Sequence, residues 1–162
     1  MSDRQHDFDQ THAIFAAMGS FWWRVVLFFV LCWFGHFVGA NCASAGEFFR
    51  NVWSNGPKAI FADSDLNPIW IPLSWIGTLL VGCRDGFGLL QLVALAVGFL
   101  FVWLSDDRYI HGFAIAALTQ PIDTFLVTGT HNTGDFVIGL LVLLVWEAFI
   151  GFVWWWCLQQ ME

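Results

Sequence analysis

Residues 136–157 form a run of twenty-two residues that holds a single charge, Glu147. Roughly 20 apolar residues in a helix cross a hydrocarbon core about 30 Å thick, so this run is long enough to span a bilayer. Backbone N–H and C=O groups find no water in lipid, and a helix satisfies them within one segment. The run therefore dictates the class of the chain: an integral membrane, all-α protein. Composition agrees, because 12% of the residues are charged, against about 25% in an average soluble domain.

Three further spans can be drawn, near 21–40, 69–83 and 88–104. Phe21-Trp22-Trp23 opens the first, with Arg24 able to snorkel back to the interface. The second follows Asn67-Pro68 and carries Pro72 in its first turn. It reaches only about 22 Å at the helical rise, so it needs local thinning or shielding by neighbours. The tight Arg84-Asp85-Gly86-Phe87 connection joins the second span to the third as a hairpin. Trp154-Trp155-Trp156 closes the fourth as an interfacial belt, which suits an indole with a buried ring and a wet N–H. Together residues 1–162 make one membrane domain, a helical bundle of about four transmembrane helices.

Two connecting segments are more than tethers. In 46–54, Phe48, Phe49, Val52 and Trp53 share one helical face, with Glu47, Arg50, Asn51 and Ser54 opposite. That is the pattern of an amphipathic helix lying in the membrane surface. The segment 109–127 is apolar, interrupted by Thr119-Gln120-Pro121-Ile122-Asp123, then apolar again. Pro121 beside Asp123 predicts a broken re-entrant or interfacial segment, because broken backbone survives at depth only under cover of protein or water. The stretch 129–135 reads as an exposed turn. In this arrangement Arg4, Arg24 and Arg84 fall on one side and Arg50, Lys58 and Arg108 on the other, so the positive-inside rule gives no orientation.

Charge and cysteine usage exclude several function classes. The net charge of −7 leaves no polybasic patch for nucleic acid or an anionic leaflet. The four cysteines form no CxxC pair, so thiol–quinone redox chemistry lacks its motif. Asp3, Asp7 and Asp9 outnumber Arg4 at the start, opposite in sign to a secretory n-region, so the first helix is expected to stay attached.

Few residues can carry chemistry. Glu147, twelfth in its run, lies near the bilayer midplane, where a charge costs about 2.5–3.5 kcal/mol on insertion scales. Such a carboxyl can relay protons or bind a cation, or it can hydrogen-bond another helix and hold an assembly together. No second carboxylate, Lys or Arg shares its depth, which favours the structural role. His36 is the other deep ionisable group. A haem site would need paired histidines on facing helices, and His111 and His131 fall in connecting segments. His36 therefore reads as a hydrogen-bonding partner for a neighbouring helix.

Gly35 and Gly39 are spaced for close helix approach, and Ala94 with Gly98 repeat the spacing. Gly151, one turn after Glu147, opens the same face of its span to a neighbour. The polar cluster Thr119, Gln120, Asp123 and Thr124 reads as a surface loop, with a small lipid-binding or lipid-modifying site as the catalytic alternative.

The expected function is that of a non-catalytic, multi-pass accessory or scaffold subunit of a larger membrane complex. Energy-transducing and secretion or conjugation machineries contain such subunits, and the expected location is a bacterial or organellar inner membrane. Other integral membrane subunits and lipids are its expected partners, nucleic acid is not, and no cofactor of its own is expected beyond bound lipids. The alternative is an oligomeric proton or cation channel that uses Glu147.

Overall fold

The computed structural model describes residues 19–56, 76–77, 80, 87–128 and 132–162. Their regular structure is entirely helical: α1 (Phe21–Ala43), α2 (Ala45–Asn55), α3 (Phe87–Leu104), α4 (Tyr109–Thr128) and α5 (Thr133–Met161). Three of these, α1, α4 and α5, are long and apolar enough to cross a membrane. The apolar part of α3, Leu89–Leu104, is shorter. The expected span at 69–83 lies outside the described residues.

The segment 109–127 departs from expectation. It is one continuous helix, α4, with Pro121 inside it. A break follows from what lipid cannot tolerate, but α4 is the central helix of the bundle. In its most apolar stretch 56% of residues are buried within the chain, against 33% for α1 and 11% for α5. Neighbouring helices, rather than lipid, cover the proline.

Side-chain contacts define the helix directions. The Arg24 guanidinium lies 5.0 Å from the Tyr109 ring centroid, and His36 meets Thr124, so α1 and α4 run parallel. Phe21 packs on Trp103 and Phe28 on Phe99, so α3 is antiparallel to α1. Phe34 packs on Trp146, and His111 on Trp154, which makes α5 antiparallel to both α1 and α4. Phe21, Leu104, Tyr109 and Met161 thus gather at one end, and Ala43, Phe87, Thr128 and Thr133 at the other. This corrects the expected sorting of charges: Arg108 sits at the end that holds Arg24, because α3 runs antiparallel to α1 and ends there. Arg50 lies at the opposite end.

Backbones approach closely where glycine permits. Gly98 and Gly112 face each other between α3 and α4, and a Cβ on Gly112 would strike the Gly98 carbonyl. Gly139 of α5 likewise sits against the Cys42 carbonyl of α1. Two apolar clusters result. Phe28, Cys32, Val102, Phe113 and Ala116 build the larger. Cys42, Ala43, Phe125 and Leu143 build the smaller, at the Ala43 end. Cys32, Cys42 and Cys157 are buried and unpaired, packing as small hydrophobes.

Arg24 ties the ends of α1, α3 and α4. Its guanidinium donates to the carbonyls of Ser105 (3.2 Å) and Gly19 (3.3 Å) and pairs with Asp106 at 3.3 Å. The Ser105 carbonyl lies just past α3, where a cation complements the helix dipole. Only the Arg24 side is sheltered, since the Asp106 side chain is 96% exposed. Asp106→Asn is therefore expected to change stability by less than about 0.5 kcal/mol, and Arg24→Met, which strips two carbonyls of a donor, by about 1–3 kcal/mol. Thermal unfolding in detergent measures both; equal losses would mean that the ion pair, rather than the carbonyl contacts, holds this end.

Candidate functional site: a buried polar layer beside Glu147

Between the two apolar clusters the bundle holds a layer of polar side chains. His36 Nδ1 lies 3.2 Å from Thr124 Oγ1, joining α1 to α4. Gln91 Nε2 donates to Gln120 Oε1 at 2.9 Å, joining α3 to α4. All four residues are buried, and Gln120 and Thr124 are fully so. The expected surface loop at 119–124 is thus corrected: the 3.6-residue period of α4 turns Gln120 and Thr124, four apart, onto the inner face. Asp123 is half-buried on the neighbouring face, and its Oδ2 has no hydrogen-bond partner among the described residues.

Glycine and proline bring this layer together. Cβ atoms built on Gly35 and Gly39 would lie 3.0 Å from Pro121 Cδ and 2.5 Å from the Pro121 carbonyl. Only bare glycine backbone lets α1 come near enough for His36 to reach Thr124. Pro121 in turn has no N–H, so the Ala117 carbonyl four residues earlier loses its helical partner. The Trp146 indole of α5 supplies one, with Nε1 donating to that carbonyl at 3.3 Å. A freed backbone acceptor in apolar surroundings is thereby satisfied from a neighbouring helix.

Glu147 is half-buried midway along α5. Its neighbour Trp146 points at α4, whereas Glu147 Oε1 is shielded and has no hydrogen-bond partner among the described residues. The carboxyl is within electrostatic reach of the Cys42 thiol. A Cβ added to Gly151, one turn on, would meet nothing within 4 Å. Any neighbour that Gly151 admits therefore comes from outside the described part of this chain.

The remaining expected positions are distributed as follows. Gly98 packs against Phe28, Ile115 and Gly112, and Ala94 is half-buried on the same helix. On α2, Phe49 and Trp53 are exposed and Val52 half-buried, while the Phe48 side chain falls outside the described set. Sequence reasoning missed Gln91, Trp146 and Asp135. A lone Gln in each of two apolar helices was the available signal for the Gln91–Gln120 pair.

Chemically, the layer offers neutral hydrogen bonding that specifies how three helices fit. Among the described residues no three His, Cys, Asp or Glu side chains converge as they would around a metal ion. Comparison with protein-family models, with curated proteins and with solved structures finds no match to any of them.

Proposed function

We propose that this chain is a non-catalytic, multi-pass subunit of a larger membrane complex, and that the outer face of α5 is where its neighbours pack. Glu147 carries this reading. In lipid an unpartnered carboxyl is expensive, and a donor on an adjacent helix removes much of that penalty. Glu147 Oε1 is shielded and finds no donor among the described residues, while the residue as a whole stays half-exposed on α5, the long helix that its own bundle covers least. The space beside Gly151 lets a second helix come close to the same face.

A channel that gathers Glu147 and His36 around one pore is less well supported, because His36 is directed inward to Thr124. Native mass and composition in mild detergent test the proposal. Other membrane proteins should copurify in fixed ratio, and Glu147→Gln should deplete them or lower the stability of the complex without changing ion flux. A ring of this chain alone, or proton or cation flux in liposomes that disappears in the Gln variant, would overturn it.

A further inference from the structure

The amphipathic helix α2 plays no part in the subunit reading, and what it contacts can be argued independently. One residue, Ser44, separates it from Ala43, the end of a membrane-length helix. Its first turn therefore begins at the membrane boundary. Two large aromatics on one face are exposed, Trp53 at 93% and Phe49 at 52%. Arg50, Asn51 and Ser54, on the other face, are exposed as well. A helix open on both faces, apolar on one and polar on the other, matches the gradient from acyl chain to headgroup.

The start of α2 is held by α5. Asp135 is buried, receives a hydrogen bond from Asn132 Nδ2, and places Oδ1 against Gly46. A side chain on Gly46 would collide with that carboxylate. The carboxylate thus lies beside the first turn of α2, where the helix dipole favours negative charge. The same residue belongs to the N-cap of α5, its backbone N–H donating to Asn132 Oδ1 at 2.8 Å. One junction therefore fixes the start of α2 relative to the start of a membrane-length helix.

We propose that α2 is a lipid-surface helix, with Phe49 and Trp53 in the acyl boundary and Asp135 as the residue that positions it. Glu47 and Arg50 are its only charged residues and cancel. Attraction to anionic headgroups, worth about 1 kcal/mol per basic residue, therefore adds little. Apolar insertion holds the helix, and zwitterionic and anionic membranes serve equally.

The full chain in phosphatidylcholine nanodiscs, with and without phosphatidylglycerol, tests this. A nitroxide is attached at position 49, 50, 51, 53 or 54 through an introduced keto amino acid, leaving the native cysteines untouched. Labels at 49 and 53 should be relaxed more by oxygen than by a water-soluble nickel chelate, with the order reversed at 50, 51 and 54. Both lipid mixtures should behave alike, and Asp135→Asn should raise label mobility at 53. Nickel-preferring labels at 49 and 53 would place the face in water and overturn the proposal. So would labels there inaccessible to both agents, which would mean that protein covers the face. Unchanged mobility in Asp135→Asn would remove Asp135 from the positioning role.

Discussion

Gly39→Val is expected to push α1 off α4 and to destabilise the bundle by about 3 kcal/mol, the upper part of the range for overpacking. The obstacle is backbone: a Cβ at position 39 would lie 2.5 Å from the Pro121 carbonyl, 2.7 Å from Thr124 Cβ and 3.0 Å from Pro121 Cα. A flexible side chain could swing aside, but a helix backbone moves only with the whole helix. Separation would also stretch the His36–Thr124 hydrogen bond, a further loss of about 1 kcal/mol. Gly151→Val is the matched control, since nothing lies within 4 Å of the added carbon. That variant should stay within about 0.5 kcal/mol of the parent. Denaturant-titrated unfolding in micelles compares them, and similar losses in both would mean that glycine does not set the α1–α4 distance.

The second large effect concerns Trp146. Trp146→Phe keeps a ring against Phe34, now 5.5 Å between centroids, but removes the donor that serves Ala117. Leaving that carbonyl unpaired in apolar surroundings is expected to cost about 1–3 kcal/mol. The cause is Pro121, which makes a sharper test available. Pro121→Ala restores an N–H for the Ala117 carbonyl, so Trp146→Phe should cost less in that background. The two changes should couple by about 1–2 kcal/mol in a double-mutant cycle. Equal costs in both backgrounds would show that Trp146 acts by packing alone.

Much of the architecture was legible in the chain. The apolar runs announced α1, α3 and α5, because in lipid only a helix satisfies a lone segment's backbone. The spacing of Gly35 and Gly39 announced a close approach on α1, and alternating faces announced an amphipathic helix near α2. The reading of α4 failed for a specific reason. Proline and a carboxylate in one segment argue against a lipid-facing helix, but the Pro121 side of α4 is covered by neighbouring helices. Gln120 and Thr124, whose polar neighbours in sequence suggest a loop, lie on its inner side.

Which segments belong in a membrane, and where isolated polar groups must find partners, can be read from the residues alone, since both follow from the cost of exposing polar atoms to hydrocarbon. Which partners those are depends on how the helices pack. Thr124 serves His36, Gln120 serves Gln91, the Trp146 indole serves a carbonyl that proline had orphaned, and Asp135 meets the start of α2. The three hydrogen bonds among these join residues 29 or 88 positions apart. Their distances depend on helix direction, rotation and the reach that glycine permits, which local pattern does not encode.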